Sequence, residues 1–360
     1  MRNVMWDYIE EEVSALKQLL NSQKIKEVAD QVKVRKYKNI LFVASGSSNN
    51  ICRASKEFIE TYTDFNVFVY LPFEFENELK MLQKFVVTET LVIGISQTGT
   101  SSSTLKCLTK AKKLGYELLT ITERTDTPIQ KLGDYYLNFE CGLEACNAKT
   151  KGYSNSLMLL HIFFLELGVH NKKVDINTYQ EIKNELVKIV EFVPNLIQDT
   201  KQWIEQHKQW SNAESIMVIG HSSNYATAME GALKLSETLC VPANYADVDE
   251  YQHGFHRILY SNSYVILIEG NGIGSDAIGK TFEYIRKVTP NCLIISSKGN
   301  LSTDTINVLD THLVSTALLS VIVFQILAVA LPENKGMDPN MERHETYLEH
   351  LKTRVELKFS

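Results

Sequence analysis

Proline and glycine are scarce in this chain, at 7 and 17 of 360 residues, which excludes collagen-like repeats and leaves little room for long flexible linkers. Basic charge is not in excess either. Lys plus Arg number 37 against 43 Asp plus Glu, a net charge of −6, so the basic stripe of a nucleic-acid binder is missing. The start, Met1-Arg2-Asn3-Val4-Met5-Trp6-Asp7, runs into Glu10, Glu11 and Glu12 without the pattern of a signal peptide, and a cytoplasmic location is expected. No unbroken apolar run reaches the roughly 20 residues of a membrane span. Leu313 to Leu331 comes nearest, but Ser315, Thr316, Ser320 and Gln325 interrupt it, so a buried or interface helix is expected and no membrane partner. Cys52, Cys107, Cys141, Cys146, Cys240 and Cys292 show no CxxC spacing and read as reduced thiols rather than disulfides or zinc ligands. Neither a GxGxxG fingerprint nor a P-loop lysine is found, which excludes the usual nucleotide cradles. What remains is ordinary globular composition, 44% hydrophobic and 22% charged, at a length suited to two medium domains.

The apolar patterning has two registers. Trp6, Ile9, Val13, Leu16 and Leu20 recur at helical spacing and predict an N-terminal helix within residues 1–32. Short Val/Ile/Leu runs then predict strands at Asn39–Ala44, Val67–Leu71, Thr90–Ser96 and Glu117–Thr122, with helical stretches between them. The second half repeats the plan with strands at Ser215–Gly220, Tyr264–Glu269 and Asn291–Ser296. Ser47-Ser48-Asn49 and Ser222-Ser223-Asn224 each follow a hydrophobic strand, about half a chain apart. The expected fold is α/β: two tandem doubly wound domains with parallel sheets flanked by helices, over residues 33–172 and 212–332. A helical connector at 173–211 separates them, and 333–360 form a C-terminal tail.

Two constellations carry chemistry. The segment Gly94-Ile95-Ser96-Gln97-Thr98-Gly99-Thr100-Ser101 begins as a buried strand, turns at glycine and opens into a helix near Ser102–Leu114. Backbone N–H groups at a helix N-terminus favour a phosphate, and the hydroxyls of Ser96, Thr98 and Ser101 add neutral donors. The Ser45–Ser48 turn after the first strand can converge on the same switch point. A capped Ser/Thr-rich turn with no ligand is the plainer alternative. In the other half, Glu230, Lys234 and Glu237 fall at i, i+4 and i+7 on one helix face, where a solvated charge stripe is the plainer reading. Downstream, Asp249, His253 and His256 share an acidic run ending in His-Gly. The remaining spacing of a zinc site is absent, so no metal is expected.

Taken together, SGSS (Ser45–Ser48), SQTGTS (Ser96–Ser101), the Glu144…Thr150-Lys151 loop, EGALKLSE (Glu230–Glu237), QHG (Gln252–Gly254) and Gln325…Lys335-Gly336 resemble the sugar isomerase (SIS) family. The resemblance is closest to the isomerase half of glucosamine-6-phosphate synthase and to fructosamine-6-phosphate deglycases. It implies SIS-type domains and a sugar 6-phosphate held by Ser48, Ser96, Gln97, Thr98 and Ser101, with Ser47, Ala148 and Lys151 near the sugar. It further implies Glu237 as the base moving a proton between carbons 1 and 2, Lys234 as a catalytic partner, and His253 as the ring-opening or general-acid group. Lys352 or His344 is the implied tail contribution. A homodimer with the active site at the subunit interface is implied, and no cofactor. Phe255 stands where the family commonly has proline after His-Gly, and the synthase's glutaminase domain is not expected here.

The function expected is phosphosugar processing. A ketosamine-6-phosphate deglycase leads, an amino-sugar-6-phosphate isomerase or deaminase is the alternative, and a non-catalytic phosphosugar-sensing regulator is a further one.

Overall fold

The computed structural model describes residues 2–32, 37–79, 85–299 and 302–356. The expected start of the first domain, residue 33, lies outside the described residues, as do residues 357–360 of the tail. The N-terminal stretch forms three helices rather than the single one expected: α1 (Val4–Glu10), α2 (Glu12–Leu20) and α3 (Gln23–Val32). Glu11 interrupts the first pair for one residue, and Asn21 and Ser22 close a turn onto the carbonyls of Gln18 and Leu19. The buried stripe also differs from the expected one. It runs Met5, Ile9, Glu12, Leu16 and Leu19, a strict 4-3-4-3 spacing in which one member is a carboxylic acid.

Ten strands and ten more helices follow among the described residues. They are β1 (Asn39–Val43), α4 (Ser47–Tyr62), β2 (Asn66–Tyr70), α5 (Pro72–Leu79), β3 (Thr90–Ile95), α6 (Ser102–Lys113), β4 (Glu117–Ile121), β5 (Tyr135–Leu137), α7 (Lys151–His170) and α8 (Ile176–Gln206). The second series is β6 (Ile216–Gly220), α9 (Ser223–Thr238), β7 (Ala243–Asp247), α10 (Val248–His253), β8 (Tyr264–Glu269), α11 (Ser275–Ile285), β9 (Cys292–Ser296), β10 (Thr305–Asn307), α12 (Ala317–Asn334) and α13 (Glu345–Leu351). All seven expected strands form, within a residue at either end. The strands outside those expectations, β5, β7 and β10, are all edge strands.

Both sheets are parallel and five-stranded, ordered β2-β1-β3-β4-β5 and β10-β9-β8-β6-β7. Read from β7, the second order is the same as the first, so the internal repeat extends to topology. Central strands such as β3 and β6 are buried along their whole length, as a sheet covered on both faces requires. By its contacts the chain divides into two compact units. One comprises Met1–Ser14, Glu144–Ser154 and Glu181–Met341, and the other Ala15–Leu143, Asn155–Gln180 and Glu342–Ser360. The unit with the second sheet packs Met217, Ile219, Val265, Leu267, Ile278 and Phe282 into one core. The other packs Leu41, Val43, Val92, Leu108 and Leu118.

In the unit with the second sheet, α12 packs on α9 so closely that a Cβ on Gly231 would lie 2.6 Å from the Phe324 ring. Residues Ala317 to Pro332 of α12 are buried throughout. The helix is long and apolar enough to cross a membrane, yet here it is a core element.

The same unit contains a buried polar chain. Ser154 Oγ donates to Glu12 Oε1 at 2.9 Å, and Gln325 Nε2 donates to Ser154 Oγ at 2.9 Å and to the Thr150 carbonyl at 3.1 Å. Burial pushes the Glu12 carboxyl up to about 8, the Ser154 hydrogen bond opposes that, and the nearby Glu144 charge adds to it. Glu12 ionises near 4.5 when free, so between about 4.5 and 8 the folded state holds a proton that the unfolded chain has lost. Stability therefore falls as pH rises through that window. Glu12→Gln cannot ionise and is expected to melt increasingly above the wild type as pH climbs from about 5 to about 8. Thermal unfolding of both proteins across that range checks this. Parallel pH dependences would show that Glu12 does not hold the proton.

Candidate functional site

The first set of predicted residues gathers at the carboxyl ends of two adjacent strands. β1 and β3 are neighbours at the point where the strand order reverses, the usual location of a ligand crevice in an open α/β sheet. After β1 the chain passes through Gly46, at φ +56°, into α4, so Ser47 and Ser48 sit half-buried in the helix's first turn. After β3, Ser96 is buried, while Gln97, Thr98 and Ser101 are half-buried. The Ser96 N–H donates to the Ile121 carbonyl and the Gly99 N–H to the Ser96 carbonyl, both at 3.0 Å. Gly99 has φ +65°, and a Cβ there would stand 2.2 Å from Thr127 Oγ1, so the turn needs glycine on both counts. Ser101 is the N-cap position of α6. Thr98 and Thr100 hydroxyls lie 2.9 Å apart, and those of Ser101 and Thr104 3.1 Å apart. The result is a cluster of neutral donors beside a helix N-terminus.

The second set lies on α9, and here the solvated-stripe reading fails. Glu230 and Lys234 are completely buried, with Lys234 Nζ 2.9 Å from Glu230 Oε1. The ammonium also donates to the Lys149 carbonyl and stands 5.7 Å from the centre of the Tyr153 ring. Burial works against its charge, but Glu230 and then Glu237 outweigh that, and the Lys234 pKa is raised. Glu237 keeps solvent-accessible surface, yet protein crowds its carboxyl elsewhere. That desolvation, opposed by Lys234 and reinforced by Glu230, pushes it up to about 7. Among the described residues no hydrogen bond is donated to this carboxyl, so only the charges of neighbouring lysines favour its ionised form.

The loop before α7 is built around Glu144. Its Oε1 accepts from the Thr150 N–H at 2.8 Å and the Thr150 hydroxyl at 2.5 Å, and its Oε2 from the Gly152 N–H at 3.0 Å. A carboxylate is thereby set at the N-terminus of α7, where the helix dipole favours it. Lys149 Nζ donates to the carbonyls of Glu144 and Cys146 at 2.9 and 2.7 Å. Ala148 is buried, and Lys151 is committed to an ion pair with Glu11, 5.0 Å from the Tyr8 ring centre. His253 ends α10 and is exposed. It makes no hydrogen bond or ion pair with the α9 face among the described residues. Nor do Asp249, His253 and His256 gather as a metal-ligand set there.

Of the two tail residues, Lys352 approaches the first cluster. Its carbonyl accepts from Ser102 Oγ at 2.9 Å while its side chain is exposed. His344 instead opens α13, its carbonyl accepting from the Tyr347 N–H.

Sequence reasoning missed Glu12, Ser154 and the burial of Glu230. For Glu12 there was a signal, since a glutamate occupies a position of the apolar 4-3-4-3 stripe. For Glu230 and Lys234 the i, i+4 spacing fits a surface pair equally well.

The SIS domain model matches residues 33–166. A glutamine–fructose-6-phosphate aminotransferase (isomerizing) of Thermotoga maritima is 27% identical over 85% of this chain and 50% of its own length. The chain thus spans about half the length of the curated relatives it matches. A candidate phosphosugar isomerase of Clostridium difficile superposes with a TM-score of 0.87 at 24% identity, covering 98% of each chain. A glucosamine-6-phosphate deaminase of Thermotoga maritima gives 0.71 at 19%, covering 94% of this chain and 98% of its own. At those identities the two structures speak to the fold. Residues 33–166 thus match a SIS domain, and the chain is similar to about half the length of the glutamine–fructose-6-phosphate aminotransferases.

Proposed function

We propose that this protein processes an amino-substituted sugar 6-phosphate, and that its reaction is the cleavage of a ketosamine 6-phosphate. The observation that carries the reading is Glu237: a carboxyl raised to about 7, one helical turn from a buried Lys234 ammonium and accepting no hydrogen bond among the described residues. Abstraction of a proton next to a carbonyl needs a base of that kind, poised near the working pH. Glu237 takes the proton from carbon 1 of the ketosamine and returns one to carbon 2, giving the imine tautomer. Water adds across the carbon–nitrogen double bond, and the products are an aldose 6-phosphate and a free amine. In this reading the Ser96–Ser101 and Ser47–Ser48 turns receive the phosphate, whose binding is remote from the reacting carbons and supplies orientation. Ala148 and Lys151 belong to the sugar-proximal loop, Lys151 having its ammonium engaged by Glu11. His253 acts as the acid for ring opening; its exposure suits a role in a neighbouring subunit's site within a homodimer.

A second reading keeps the same base. The homology to an isomerizing aminotransferase favours an amino-sugar-6-phosphate isomerase or deaminase, in which the tautomerisation itself, or release of ammonia, is the outcome.

Product analysis separates the two. Purified protein is incubated with fructoselysine 6-phosphate and, separately, with glucosamine 6-phosphate. Glucose 6-phosphate plus lysine from the first is the expected result, whereas fructose 6-phosphate and ammonia from the second alone would move the protein to the deaminase branch. Silence on both would count against either.

Glu237→Gln is expected to lower turnover by about a hundredfold or more while phosphosugar affinity is retained; near-wild-type kcat would overturn the base assignment. Because the base acts deprotonated, wild-type kcat should fall as pH drops below about 7, a limb that pH–rate measurements would reveal. Ser96→Ala with Thr98→Ala is expected to raise KM by about tenfold or more, since each hydrogen bond to a charged group is worth about 1.5–3 kcal/mol. An unchanged KM would remove the phosphate from this turn.

A further inference from the structure

We propose that Arg354, carried on the returning tail, is a phosphate-recognition residue of the Ser96–Ser101 turn. This inference rests on that turn being the phosphate site. Three hydrogen bonds bring the tail there. The Ser102 N–H donates to the Thr353 carbonyl at 3.0 Å, the Val355 N–H to the Thr100 carbonyl at 2.9 Å, and Ser102 Oγ to the Lys352 carbonyl at 2.9 Å. The pairing is antiparallel, with Ser101 opposite Arg354.

The pattern of those bonds fixes where the two side chains point. The backbone bonds are made by the residues on either side of Ser101 and Arg354, not by the pair itself. That is the non-hydrogen-bonded arrangement of an antiparallel ladder, in which the facing Cα atoms are about 4.5 Å apart and both side chains leave on the same face. Whatever Ser101 Oγ touches is therefore within reach of the Arg354 side chain. Arg354 is exposed, and among the described residues its guanidinium enters no ion pair.

Charge gives the pairing its meaning. The stretches Ser45–Ser48 and Ser96–Thr104 contain no lysine or arginine, so the cradle offers a phosphate dianion only neutral donors. A guanidinium supplies charge-assisted, bidentate hydrogen bonds roughly twice as strong as neutral ones. The tail thus adds the cation that the turn's own sequence lacks.

The test is calorimetric titration of the full chain with glucosamine 6-phosphate, comparing wild type, Arg354→Ala, Arg354→Lys and Ser96→Ala/Thr98→Ala. Arg354→Ala is expected to weaken binding by about tenfold and to flatten its salt dependence, with Arg354→Lys recovering part of the loss. The melting temperature should stay unchanged, because the backbone bonds of the tail do not involve the side chain. If Arg354→Ala binds as tightly as wild type while the Ser96/Thr98 variant is weakened, the tail is a structural strap only and the inference is overturned with the phosphate site intact. If the Ser96/Thr98 variant also binds like wild type, or wild type does not bind, the phosphate reading fails and this inference with it.

Discussion

A lysine with no exposed surface cannot stay charged without partners, and the region around α9 is organised by meeting that demand. Lys234 reaches Glu230 on its own helix and the Lys149 carbonyl on the loop before α7. Two ions taken out of water cost several kcal/mol each unless geometry and additional hydrogen bonds compensate. The carbonyl contact therefore couples the shape of the loop to the state of the helix. Glu144 fixes the same loop from its other end through three donors. Glu237, one turn along, is tuned by what surrounds it: desolvation raises its pKa, Lys234 lowers it, and a balance near neutrality results.

The two sheets share one topology and differ in what they present. The turns after β1 and β6 enter their helices through caps of nearly equal conformation, φ +56° and ψ −137° at Gly46 against φ +53° and ψ −132° at Ser222. From that common entry α4 offers serine hydroxyls, while α9 carries an acid–base face further along its length. One repeated topology thus presents different side chains in each copy.

Most of this architecture was legible in the sequence because central parallel strands leave an unmistakable trace. Runs such as Asn39–Val43 and Thr90–Ile95 are apolar on both faces, and their flanking turns are rich in serine and glycine. Three of the four edge strands, β5, β7 and β10, left none. β7 reads Ala-Asn-Tyr-Ala-Asp, with no β-branched residue, and β5 and β10 are three residues long, so pairing rather than propensity makes them strands. Residue types and spacing singled out the α9 face and, separately, the serine turns, but periodicity could not say whether a Glu–Lys pair faces water or protein. The return of Arg354 to Ser101 was beyond reach for a different reason. It spans some 250 positions of chain, and nothing local at either end encodes it.

The helix α12 carries a consequence for the life of the chain before it is folded. Its sixteen consecutive residues from Ala317 to Pro332 are hidden only because α9 and its neighbours are already in place; no polar face of its own protects it. Solubility of this segment is thus a property of the assembled fold rather than of the local sequence. Its partners α1 and α9 precede it in the chain, so they have been synthesised by the time it emerges. Conditions that loosen the α9–α12 contact would expose a strongly apolar surface at once, and self-association would then compete with refolding.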